Sequence, residues 1–223
     1  MTKDRQDWVN EEVLGYMVDV YINELFWLLT SIKSKCEQLF EITKPPETGF
    51  IIKIDMESHS LIKSIVDDST EVANLIRPHE KLKDEPNEKY LFRKHRGEYL
   101  SNLFNGVAIT ELLKHDLRNS LAHFDEKLDS LTHEISKKAT KGPQRLAYNM
   151  VVSDRNVFHP FPFPIRVYVS SERKIYNMRW ELDIGKIYNE SVAMIEVLKK
   201  VESIKNAEKP GGLFLSIPQL RDL

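Results

Sequence analysis

Between His115 and Asp129 the chain reads HDLRNSLAHFDEKLD, and this segment holds the residue types best suited to chemistry. Arg118 offers a planar, permanently charged fork that matches phosphate oxygens. A histidine such as His123 titrates near neutral pH and can give or take a proton. Leu117, Leu121, Phe124, Leu128, Leu131 and Ile135 recur at alternating steps of four and three, which predicts an amphipathic helix. Asp116 is the expected N-cap. At roughly 100° per residue, Arg118 lies to one side of the apolar stripe and His123 to the other. Asn119 and Glu126 point nearly opposite the core, so Asn119 and His123, at i and i+4, share an outer face. Arg118 and His123 flank the stripe on opposite shoulders, and a second copy of the helix packed across the outer face would bring the two residue types together. Arg118 and Asn119 also fall in the expected first turn, where free N–H groups and the helix dipole favour phosphate.

Arg118-Asn119-Ser120-Leu121-Ala122-His123 resembles the R-x4-6-H motif of HEPN domains (higher eukaryotes and prokaryotes nucleotide-binding). The polar residue that usually follows the arginine is matched by Asn119. The resemblance implies a compact helical bundle that forms a homodimer through the motif helices, with Arg118 and His123 of both chains in one composite cleft. It also implies a metal-independent, cofactor-free endoribonuclease that leaves a 2′,3′-cyclic phosphate and a 5′-OH. In that reading His123 is the general acid and base, Arg118 stabilises transition-state charge, and Asn119 orients the arginine or bonds phosphate. Family analogy extends this to a toxin or anti-phage defence effector controlled by an antitoxin or regulatory protein. One departure is that Asp125 stands where some members carry a tyrosine that a partner enzyme modifies. The alternative is a non-catalytic HEPN-like module binding a nucleotide, an RNA or a protein partner. Arg118 can also be read as a plain structural residue, pairing with Asp116 or Asp125.

Other candidates are weaker. Arg93, Lys94 and Arg96 form a basic run that could guide RNA phosphates, and Lys137, Lys138 and Lys141 offer a similar but weaker signal. Such runs are more often solvated faces. Glu111 with His115, and His123 with Glu126, have helical spacing but make no paired Glu-x-x-His set, so no metal is expected. Cys36 lies mid-helix and reads as a buried thiol rather than a nucleophile. No phosphate-binding, dinucleotide-binding or nucleophile-elbow glycine motif occurs.

Apolar spacing predicts helices over about 7–42 and 55–77, and a third from Asn87 to Lys114 and His115, whose cations suit a helix C-terminus. The motif helix follows, and a last helix spans about 183–205. Pro45, Pro46, Gly49 and Pro78 supply stops. The stretch from Lys137 to Pro164 reads as loop, with HPFPFP unable to form helix interior. Ile165–Val169 and Ile175–Leu182 read as the strands of one β-hairpin around SSERK. The expected fold is therefore mainly α: an antiparallel, HEPN-like helical bundle over residues 1–207. A loop and small β-hairpin (about 137–183) is inserted before the last helix, and 208–223 is a loose tail.

Composition bounds the function. The chain has 223 residues, 32 Lys and Arg against 34 Asp and Glu, and a net charge of −2. That balance argues against a long nucleic-acid-coating surface but leaves room for a local phosphate site. A hydrophobic fraction of 41% is enough for a core, and 8 glycines are too few for a turn-rich all-β fold. One cysteine excludes a disulfide scaffold. No run approaches the ~18 apolar residues of a membrane span. The opening MTKDRQDW does not read as a signal peptide, so a cytoplasmic protein is expected, with no membrane partner.

Overall fold

The computed structural model describes residues 12–137, 145–204 and 207–213. Helix α1 (Glu12–Ile42) leads, followed by a two-residue strand β1 (Ile52–Lys53) and helices α2 (Met56–Ile76) and α3 (Asn87–Leu103). Two short helices come next, α4 (Asp116–Ala122) and α5 (Phe124–Lys137). Strands β2 (Leu146–Val152), β3 (Phe163–Val169), β4 (Lys174–Asn177) and β5 (Trp180–Asp183) then lead into α6 (Ile184–Leu198). The expected start of α1 at Asp7, Val9, Lys138, Lys141 and the end of the tail lie outside the described residues.

The mainly helical expectation is corrected. This is an α+β fold in which six helices, among the described residues, accompany a five-stranded mixed sheet ordered β1-β2-β3-β4-β5. β2 and β3 run parallel, and the other neighbours are antiparallel. β2 had read as loop, yet Ala147 and Val151 are buried and the strand lies beside β3 over its whole length. The expected hairpin strand over 175–182 is two strands, folded at Met178 and Arg179, with Asn177 opposite Trp180. β1 comes from the α1–α2 connection, so the sheet draws on chain far outside the stretch first read as a hairpin.

Both faces of the sheet are covered. Val151, Tyr168, Ile175 and Leu182 join the main core, built on Leu25, Phe26, Leu29 and Ile32 of α1, Ile62 and Ile65 of α2, and Ile187 and Met194 of α6. On the other face Val152, Val167, Val169 and Tyr176 pack under Val157, Phe158 and Phe161 of the β2–β3 crossover. The proline-rich segment thus serves as a lid on a second, smaller core, and it contains a cis His159–Pro160 bond. Full coverage explains why β3 is nearly continuously apolar rather than alternating.

Helix α3 ends at Leu103, well before the expected Lys114 and His115. Gly106, at φ 93°, follows Asn105, and this Asn-Gly pair is a turn signal inside the apolar pattern. Residues 104–115 form a connector held by two buried carboxylates. Glu190 on α6, 8% exposed, accepts hydrogen bonds from the Thr110 N–H and hydroxyl and from the Glu111 and Leu112 N–H groups, at 2.8–3.0 Å. Glu111, 2% exposed, accepts from the Asp183 N–H at 2.8 Å and from Lys114 Nζ at 2.8 Å. These bonds fix where α4 begins.

Candidate functional site

Helix α4 starts one residue earlier than its expected cap implies. His115 is the cap residue, with φ −102° and ψ −19° and no side-chain cap bond, and Asp116 lies inside the helix. With seven residues the helix carries little dipole, so its N-terminus by itself makes no phosphate site. The motif helix is also not continuous. It stops at Ala122, and His123 leaves the helical region at φ −107°, ψ 45° before α5 resumes at Phe124. Within α4 the Ser120 hydroxyl bonds back to the Leu117 carbonyl at 2.6 Å, a contact that competes with the helical ladder and bends helices.

The break changes which faces meet the core. Leu117 is 1% exposed, whereas Leu128 and Ile135 are both 38% exposed, and α5 contains no buried residue. A single stripe packed along its whole length is therefore corrected to one buried end and one open end.

Arg118 is half-buried, and its Nη1 lies 3.4 Å from His115 Nδ1. Burial lowers the His115 pKa below its ordinary value, and the Arg118, His79 and Arg77 charges lower it further, while Asp116 opposes them. A neutral imidazole leaves Nδ1 free to accept from the guanidinium. The local arrangement is thus a basic knot of Arg77, His79, His115 and Arg118 where the end of α2 meets the start of α4. Beside it Arg77 and His79 line a groove of about 430 Å³ against α3, with Tyr90 and Lys94 opposite. Gly97 permits this close approach, since a Cβ there would come within 2.3 Å of Pro78 Cδ.

Asn119 and His123 lie on the outer surface, joined by the His123 N–H bonding to the Asn119 carbonyl at 3.0 Å. The His123 side chain is 59% exposed, and its Nδ1 stands 3.6 Å from Glu126 Oε1. Within one chain Arg118 therefore sits against His115 while His123 sits against Glu126.

The basic run on α3 is mostly engaged elsewhere. Arg93 clamps Glu85 through Nε at 3.1 Å and Nη2 at 2.7 Å, and donates to the His79 carbonyl at 2.8 Å. Arg96 donates to the Asn74 carbonyl at 2.9 Å and stacks on Tyr21. Lys94 is half-exposed on the groove, 3.8 Å from Glu98. Glu111 and His115 do not act as a pair, because Glu111 is taken up by Asp183 and Lys114. Among the described residues no group of three His, Cys, Asp or Glu side chains is arranged to hold a metal ion. Cys36 is fully buried, and burial pushes its thiol up to about 12, which makes it a packing residue.

Arg77, His79 and His115 are site residues that sequence reasoning did not assemble. Arg77 and Pro78 had marked only a helix stop, and nothing local signalled that this stop faces the motif. No family model, no curated protein and no solved structure matches the chain. Among the described residues no helix is long and apolar enough to cross a membrane.

Proposed function

We propose that the chain is a metal-independent, HEPN-type endoribonuclease acting in the cytoplasm as a homodimer. Two copies meet across the outer faces of α4 and α5, which unites Arg118 of one copy with His123 of the other. One His123 takes the proton from an RNA 2′-OH, and the 2′ oxygen attacks the adjacent phosphorus. The bond from phosphorus to the 5′ oxygen breaks, and the second copy's His123 gives that oxygen a proton. The products are a 2′,3′-cyclic phosphate and a 5′-OH. Arg118, backed by Asn119, offsets the charge that builds on the phosphoryl oxygens.

The observation that carries this reading is the juxtaposition, on α4 and its C-terminal cap, of exposed Asn119 and His123 with half-buried Arg118 in a basic knot. The role follows the motif resemblance: a toxin or anti-phage effector held in check by an antitoxin or regulatory protein. The decisive experiment incubates end-labelled RNA with purified wild type and His123→Ala in EDTA. Wild type is expected to leave cyclic-phosphate ends, and the variant to lose at least a hundredfold in rate. Equal cleavage by both overturns the mechanism.

A second reading is a non-catalytic module that binds a nucleotide, RNA or protein partner. The groove lined by Arg77, His79 and Lys94 favours it, because that groove offers cations without His123. Tight RNA binding with no turnover by a folded dimer would select this reading.

A further inference from the structure

The sheet reaches the motif through a strained seam. Asn149 on β2 and Arg166 on β3 both have left-handed backbone, at φ 51° and 53°. They lie between the paired rows Tyr148–Ile165 and Met150–Val167, so the ladder is interrupted on both parallel strands at one row with its register unchanged. Neither residue type adopts this backbone without cost, arginine least readily. His59 hydrogen-bonds to the Asn149 backbone, while Asn149 Oδ1 and His59 Nε2 are buried without a hydrogen-bond partner among the described residues, so this row is only partly satisfied. Strain of this kind, held in place by surrounding structure, gathers at functional sites.

The interrupted row places one side chain against the motif. The Arg166 guanidinium carbon lies over the Phe124 ring, 3.7 Å from its centroid, and Phe124 is the residue directly after His123. The strained backbone is tied to the motif helix itself. The Arg166 N–H donates to Asn177 Oδ1 at 3.2 Å, and Asn177 Nδ2 donates to the Ser120 hydroxyl at 3.0 Å. Asn177 and Ser120 are both fully buried. A relay of two buried side chains thus sets Arg166 relative to Arg118, Asn119 and His123.

We infer that Arg166 is a further RNA phosphate-binding residue of the motif site, supplied by the sheet, with Asn177 as its positioning residue. This rests on the ribonuclease reading and extends it. The guanidinium stacked on Phe124 keeps N–H groups at its edge for a phosphate next to the scissile one.

The test uses the full chain and a labelled, single-stranded 2′-O-methyl oligouridylate, whose blocked 2′ oxygen cannot attack. Affinity is measured against salt concentration for wild type, Arg166→Gly and Asn177→Ala. Glycine suits left-handed backbone, so Arg166→Gly is expected to fold with an undiminished melting temperature. It should nonetheless bind at least tenfold more weakly, with the slope of log affinity against log salt shallower by about 0.7, the value for one lost single-strand phosphate contact. Asn177→Ala should weaken binding while keeping more of the slope, because the cation remains. An unchanged slope in Arg166→Gly, with wild type binding normally, overturns the inference and leaves the ribonuclease reading intact. Wild type that neither binds this probe nor cleaves RNA overturns both.

Discussion

His115 carries its proton less readily than a free imidazole, because burial and three neighbouring cations, Arg118, His79 and Arg77, disfavour its charge. His59 is held down in the same direction by burial, with Arg166 adding to it and a hydrogen bond to the Asn149 backbone and the Asp55 charge opposing it. The unfolded chain binds both protons more tightly than the folded one, so folding stability rises with pH across the window just below the ordinary histidine value of 6.5. The contribution is fully present above that value and is lost as pH falls through it. Melting temperature is therefore expected to drop between about pH 7.5 and about pH 5.5, and to drop less in His115→Gln. Thermal melts at the two pH values check this, and equal drops in both proteins would show that His115 does not contribute. The motif's own residues were readable in the sequence, since Arg118, Asn119 and His123 are close in the chain. Arg77, His79 and Arg166 were not, because nothing local records which distant segments face the motif.

At the scale of elements, the connector before α4 depends on one carboxylate. Glu190 gathers three backbone N–H groups and a hydroxyl from residues 110–112. Glu190→Ala leaves those donors buried without an acceptor, and a loss of about 3 kcal/mol is expected in urea unfolding. A loss under about 1 kcal/mol would mean that water replaces the carboxylate at little cost. Most helices were legible, since α1, α2 and α6 each bury a stripe at helical spacing. The failures have specific causes. α3 was read too long because the apolar pattern runs on past Asn105-Gly106 into a loop whose Leu112 is also buried. The break at His123 was missed because the leucine spacing continues across it, while Ser120 bonds back to Leu117 within α4 and Asn177, from distant β4, binds Ser120. β2 was missed because its hydrogen-bonding partner is β3, more than ten residues on and parallel.

For the molecule as a whole, the proposed homodimer would also cover the apolar side of α5, which the chain's own core leaves part-open. Leu128 and Ile135 contribute little to the chain's own core, so replacing both with Asp should cost under about 1 kcal/mol of stability. The double variant Leu128→Asp, Ile135→Asp is expected to run as a monomer in light scattering, with unchanged circular dichroism, and to lose RNA cleavage. A wild-type chain that is itself monomeric while cleaving RNA would exclude the composite cleft.

The sequence by itself determined the helical segments that pack the main core, the buried state of Cys36 and a motif with an exposed Asn119–His123 face. These follow from side-chain periodicity, which depends only on residues a few positions apart. Only the tertiary structure decided that the fold is α+β, that the motif helix breaks after seven residues, and that Arg166 comes to lie on Phe124. Those outcomes depend on pairing and burial between segments distant in the chain. There a buried amide such as Asn177 can outweigh local preference, because leaving its partners unbonded costs more than bending a helix or straining a strand.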